Sequence, residues 1–231
     1  AFHRLPAIGD TLRTDTQVVG LRQTSSRPAG LAALRMTTRD QDDRVVLDFY
    51  RCAMLPLRDP DLQTGHQDDL TTIGAAPDLD PLLATLREWD FRQWQPPSGP
   101  DVEPGSSWDL QHGDVVSNAP ELARLTLNLA HVHHDAFSQP SGRLVYGGHT
   151  IGLALTQLTR TLPQLVTVAG WHSCDHTGPV REGDTLVSRI DVDDVRAIDG
   201  LRVADLRVRV RSRGGEDDRD VLDWRPIVVL R

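Results

Sequence analysis

Residues 9–12 read Gly9-Asp10-Thr11-Leu12, and residues 183–186 read Gly183-Asp184-Thr185-Leu186. Farther along, Arg44, Val46-Leu47-Asp48 and Phe49 return as Arg219, Val221-Leu222-Asp223 and Trp224 at nearly the same offset. Two independent matches at one spacing imply a duplicated module. Each copy carries strand patterns. In the first, Thr14 to Leu21, Gly30 to Thr37 and Val45 to Leu55 are rich in β-branched or alternating apolar residues. Their polar turns are Ser25-Ser26-Arg27-Pro28 and Arg39-Asp40-Gln41-Asp42-Asp43. The second copy ends the same way, with Thr185 to Val195, Leu201 to Val210 and Val221 to Leu230 separated at Ile198-Asp199-Gly200 and Gly214-Gly215. Long strands joined by short polar turns predict an antiparallel meander in each copy.

A chain of 231 residues can bury a substantial core in one or two domains. Its 39% apolar and 25% charged content suits a folded globular protein rather than a disordered one. The net charge of −8 repels nucleic acid and anionic membrane, so neither is an expected partner. All 25 basic residues are arginine, which excludes Schiff-base chemistry and a P-loop lysine. Cys52 and Cys174 lie outside any CxxC pattern. The expectation is a reducing, cytoplasmic setting with neither a disulfide framework nor a cysteine zinc site. No apolar run approaches the ~20 residues of a membrane span, and no signal peptide is visible.

The repeat divides the chain into residues 1–57, the closing strands of a first module; 58–107, a connector rich in Pro and Asp; and 108–231, a second module. The connector is expected to hold a short helix over Asp80 to Trp94 and to break at Pro96-Pro97-Ser98-Gly99-Pro100. Its Trp89, Phe91 and Trp94 are suited to fastening it onto a module surface. In the second module Asn118, Pro120 and Glu121 fit a capped helix start, with the helix running through Leu122, Leu125 and Leu129. Another helix starts near Gly148, carries Ile151, Leu155, Leu158 and Leu162, and ends at Pro163. Gly152 and Ala154 are small enough to let a sheet or ligand approach. One buried helix and a meander give an α+β layer with the sheet curled around the helix. The segment matching the His-rich stretch Asn128 to Asp135 would, in the first copy, fall before residue 1. The first module is therefore expected to be incomplete in this chain.

Chemistry-bearing residues concentrate in Asn128-Leu129-Ala130-His131-Val132-His133-His134-Asp135-Ala136-Phe137 and Gly142-Arg143-Leu144-Val145-Tyr146-Gly147-Gly148-His149. On a continuous helix Asn128 and His133 would stand about 140° apart. They converge only if the helix ends between them. Gly147-Gly148 places free N–H groups and a positive dipole end at a helix start, which suits an oxygen gaining negative charge. The bland alternatives are a core histidine at 133, a helix-end amide at 128 and a tight turn at 147–148. Asp135 reads as an acceptor for nearby amides, and His131, His134 and His149 as surface groups or supports behind the site rather than ligands. A metal reading of His131 to Asp135 with His172-Ser173-Cys174-Asp175-His176 resembles the His-x-His-x-Asp-His of metallo-β-lactamases. Ala136 occupies the sixth position and breaks that pattern, so no metal is expected.

Asn128 to Ala136 followed by Leu144-Val145-Tyr146-Gly147-Gly148 resembles the signature of the MaoC-type, R-specific enoyl-CoA hydratases, and Pro179-Val180 before Gly183-Asp184-Thr185-Leu186 matches the following strand. The resemblance covers about residues 108–231 as one hotdog module and 1–57 as the tail of another. It implies a double-hotdog protein acting on acyl-CoA or acyl carrier protein thioesters without a cofactor, by reversible addition of water to an enoyl thioester. In such folds the sheets pair edge to edge, so one chain can imitate a dimer, and a homodimer is a possible further partner. By alignment His133 takes the catalytic histidine's place, Asn128 that of the usual aspartate, and Ala130-His131 that of Asn-Pro. Tyr146 stands where histidine is common. On this reading His133 and Asn128 are catalytic, Gly147 and Gly148 polarise the thioester, and Tyr146 and His149 line the substrate site. An amide cannot exchange a proton at neutral pH, so the acid–base work falls to His133. The rival readings are a hotdog thioesterase and a non-catalytic acyl-CoA-binding or assembly protein.

Overall fold

The Gly-Asp-Thr-Leu element folds as the same turn twice. The Asp10 amide donates to the Ala7 carbonyl at 3.1 Å, and the Asp184 amide to the Arg181 carbonyl at 3.1 Å. Each aspartate returns the bond: Asp10 Oδ2 accepts from the Ala7 amide at 2.7 Å, and Asp184 Oδ2 from the Arg181 amide at 2.9 Å. The third residue of each turn is glycine with positive φ, +100° at Gly9 and +92° at Gly183, a conformation costly for any residue with a Cβ.

The computed structural model describes residues 1–198, 200–213 and 218–231. After each turn comes a three-stranded antiparallel meander: β1 (Arg13–Gln23), β2 (Ala29–Arg39) and β3 (Val45–Pro56) in the first copy. In the second copy the meander strands are β7 (Thr185–Ile198), β8 (Leu201–Arg213) and β9 (Arg219–Leu230). Of the turns expected in the second copy, Asp199 and Gly214-Gly215 lie outside the described residues. The repeat also reaches a pair that sequence matching passed over. Arg35 on β2 grips Asp48 on β3 through Nε and Nη2, the shortest contact 2.7 Å; Arg207 on β8 grips Asp223 on β9 in the same two-pronged way at 2.6 Å.

The chain divides into two compact units, Ala1–Asp90 and Phe91–Arg231. The connector of residues 58–107 is shared between them. Asp68 stays with the first unit, its amide on the Leu21 carbonyl at 3.0 Å and its carboxylate on the Leu21 amide at 2.8 Å. The first unit also holds the helix α1 (Asp80–Arg87), shorter than the expected span to Trp94, with Leu82, Leu83 and Leu86 buried. Among the described residues α1, with eight residues, is the longest helix of that unit. Phe91 belongs to the second unit, where the Arg231 guanidinium lies 4.9 Å over its ring.

The second unit has a six-stranded sheet. Its order is β4 (Ser107–Asp109), β7, β8, β9 and β6 (Leu165–Asp175), with β5 (Asp114–Val115) also paired to β7. Against it lies α3 (Gly147–Thr161), whose Ala154 and Leu158, with Leu162 at its C-cap, join the core formed by Leu186, Ile190, Leu206, Val208, Leu222 and Val228. This is the expected α+β layer. The helix ends at Leu162 because Pro163 has no N–H to continue it. The buried stripe contains one amide. Gln157 is fully buried, and its Nε2 donates to Asp114 Oδ2 at 2.7 Å and to the Leu186 carbonyl at 2.8 Å. Ala154 packs inside as expected, whereas Gly152 faces open space.

A second helix, α2 (Ala119–Leu125), is shorter than the leucine spacing predicts. Leu127 adopts a left-handed conformation, φ +56°, which ends the helix before Leu129. Leu125, Leu127 and Leu129 are then exposed rather than packed as a stripe. Asn118 is not the expected cap either. Its own backbone is left-handed at φ +55°, and its side chain makes no capping bond.

Candidate active site

Because α2 stops at Leu125, Asn128 and His133 are carried on an irregular segment, with a single 3-10 turn at His131–His133. Asn128 is tied down by its backbone. Its amide donates to the Ala123 carbonyl at 2.9 Å, and its carbonyl accepts from His134 Nε2 at 2.6 Å. Its side-chain Oδ1 accepts from the Ala130 amide at 3.3 Å. His134 thus braces the loop from behind, one of the two roles expected of it. Asp135 accepts from the Phe137 amide at 2.8 Å, the structural role expected of it.

His133 is half-buried, and its Nδ1 lies 2.8 Å from the Leu144 carbonyl oxygen. A carbonyl only accepts, so the Nδ1 carries the proton, and in the neutral ring Nε2 is left with its lone pair outward. The ring meets Tyr146 edge-on, 5.9 Å between centroids. A hydrogen bond that fixes one ring nitrogen and frees the other is what a general base needs.

Tyr146 immediately precedes α3, and Gly147 and Gly148 are its first two residues. Among the described residues no protein acceptor takes the amide of either glycine, while the His149 amide bonds the Tyr146 carbonyl at 2.9 Å. A ring lies close over each glycine. A Cβ on Gly148 would come within 2.5 Å of the Tyr146 ring, and one on Gly147 within 2.6 Å of His176 Nε2. Sequence reasoning placed His176 only in the rejected metal pattern. The residue is exposed, and the protein on its other side lowers its pKa by desolvation, against the opposing charge of Asp175. His149 is half-buried, its Nδ1 buried without a partner. Burial lowers its pKa too, with Glu182 acting in the other direction.

The loop from 131 to 146 is pinned to the repeated turn. The Val145 amide bonds the Val180 carbonyl at 3.0 Å, and the Leu144 amide bonds the Val132 carbonyl at 2.9 Å. Arg181 reaches Gly142 and Ser141, and Arg143 pairs with Glu182 at 2.5 Å while its Nε donates to the His134 carbonyl at 3.1 Å. The corresponding residues of the first copy are Ala7 and Ile8, which carry no such handles.

No family model matches the chain. A conserved hypothetical protein from Mycobacterium tuberculosis with a double hotdog fold matches with 51% identity and a TM-score of 0.87, over 100% of this chain and 72% of that one. Two curated relatives are each 30% identical and align over 87% of this chain: a β-methylmalyl-CoA dehydratase from Chloroflexus aurantiacus and a mesaconyl-CoA hydratase from Cereibacter sphaeroides. This chain is a member of the MaoC-like, double-hotdog family. It spans about 60% of the length of those two curated relatives. In this MaoC-like protein the described residues hold no group of three or more His, Cys, Asp or Glu placed to bind a metal ion. Among them no helix is long and apolar enough to cross a membrane.

Proposed function

We propose that the second unit of this MaoC-like protein catalyses the reversible addition of water to an enoyl-CoA-type thioester. What supports this most is the 2.8 Å bond from His133 Nδ1 to the Leu144 carbonyl, which leaves Nε2 as a base on the loop leading into the unpaired amides of Gly147 and Gly148. In the hydration direction His133 Nε2 takes a proton from water as the water oxygen bonds to C3 of the substrate. The C2=C3 electron pair moves toward the thioester carbonyl, whose oxygen gains charge and is met by the two glycine amides and the positive end of α3. His133 then returns the proton to C2, and dehydration is the reverse. Asn128 holds the water as a hydrogen-bonding amide without exchanging a proton. Tyr146 and His149 line the substrate side.

The curated relatives name β-methylmalyl-CoA and mesaconyl-CoA, and short branched enoyl thioesters of that kind are the first substrates we assign to this chain. CoA rather than acyl carrier protein is the carrier in this reading. Two free thiols, Cys52 and Cys174, support a cytoplasmic setting. The test is hydration of crotonyl-CoA and mesaconyl-CoA, followed by loss of conjugated-enoyl absorbance alongside a free-thiol assay. The wild-type protein should hydrate without releasing thiol, and His133→Ala should lower kcat by ~10³-fold while still melting cooperatively as a folded protein. Retained activity in His133→Ala, or thiol release in place of hydration, overturns the reading.

A further inference from the structure

Within the reading just given, the thioester oxygen has two backbone donors, Gly147 and Gly148, and no side chain. His176 lies just beyond the end of β6. The Thr177 amide bonds the Val221 carbonyl at 3.1 Å, which fixes the backbone that follows it. A Cβ built on Gly147 would fall 2.6 Å from His176 Nε2 and 2.8 Å from its Cε1. In a helix the Cα–Cβ bond tilts toward the N-terminus, the direction in which the unpaired amides of the first turn also point. The His176 ring therefore occupies the place where a side chain at Gly147 would begin, beside those amides. Among the described residues no protein group bonds either of its ring nitrogens, and the residue is exposed, open to a ligand.

We propose that His176 is a further catalytic residue, whose imidazole N–H donates to the thioester oxygen alongside the Gly147 and Gly148 amides. It supplies a side-chain donor to that oxygen, while Asn128 serves the water, and it transfers no proton. The absence of a side chain at Gly147 is what admits the ring.

This rests on the hydratase reading, and the experiment separates the two. His176→Phe keeps a flat ring and removes the N–H, His176→Gln keeps an N–H donor, and Gly147→Ala displaces the imidazole without removing it. With an enoyl-CoA that the wild type hydrates, His176→Phe should lose ~10²-fold in kcat with KM changed by less than a few-fold. His176→Gln should recover much of that rate. Gly147→Ala should fall as His176→Phe does, and the double variant should be no worse than either single one. His176→Phe at the wild-type rate, Gln no better than Phe, or additive losses in the double variant overturn the role of His176 while leaving the hydratase intact. A well-folded wild-type protein inactive on every enoyl thioester overturns both.

Discussion

The Nη1 of Arg181 stands 2.7 Å from the Gly142 carbonyl oxygen. This bond joins the turn that opens a duplicated meander to the loop that carries His133. Gly142 is two residues from Leu144, whose carbonyl sets the His133 tautomer. Arg181→Ala removes this contact and the one to Ser141 Oγ. It should cost about 1.5–3 kcal/mol of stability, the range for hydrogen bonds to a charged group. Activity should fall about tenfold as His133 loses its fixed orientation. Hydrogen exchange at amides 141–145 should quicken; unchanged exchange with lost activity would show that Arg181 acts in some other way.

The two repeated turns allow a matched comparison. Gly9 and Gly183 have positive φ and nothing within 4 Å of a built Cβ, so an alanine there is strained by its backbone and not by a clash. Each substitution should cost about 1–2 kcal/mol in urea denaturation. A Gly9→Ala protein as stable as wild type would show that the first turn has relaxed away from its partner's geometry.

His149 makes stability depend on pH. Burial holds its folded pKa below the ordinary histidine value of 6.5. The unfolded chain therefore takes up the proton first, and stability rises with pH across that interval. The contribution is complete above pH 6.5 and is lost as the pH falls below 6.5 toward the folded value. His149→Gln should flatten the melting-temperature profile on this acid side. An unaltered profile would assign the dependence elsewhere, His176 being the next group with the same direction of shift.

Two positions on α3 should respond in opposite directions. Leu158 is fully buried in the second unit's core. Leu158→Ala should destabilise by about 2–5 kcal/mol through lost transfer energy and a residual cavity. Gly152 meets nothing within 4 Å. Gly152→Ala should stabilise by about 0.5–1 kcal/mol by restricting the unfolded chain. Thermal melts of both variants check the orientation of the helix.

The duplicated meander was legible because its strands keep a two-residue period between polar turns. Strand β6 went unread although Leu165-Val166-Thr167-Val168 is rich in β-branched residues. Its pairing with β9 shifts register between Leu165 and Thr167, between Val168 and Gly170, and between Trp171 and Ser173, and each irregularity breaks the alternation. The early end of α2 was hidden for the converse reason. Leu122, Leu125 and Leu129 keep a helical spacing that a left-handed Leu127 then interrupts. At the site, local order gave the loop and the Gly147-Gly148 helix start, since these are neighbours in the chain. His176 reaches Gly147 only through the pairing of β6 with β9, and nothing near position 176 in the sequence announces it.

Gln157 sits about 15 Å along the axis from Gly147, at 1.5 Å per residue. Its amide fits one axial position, because sliding α3 by a turn would strip both acceptors from a group with no access to water. An apolar side chain there would tolerate such slippage. The amide works as a depth stop, so the level at which the Gly147-Gly148 end of the rod stands is set from farther down the second unit's own core.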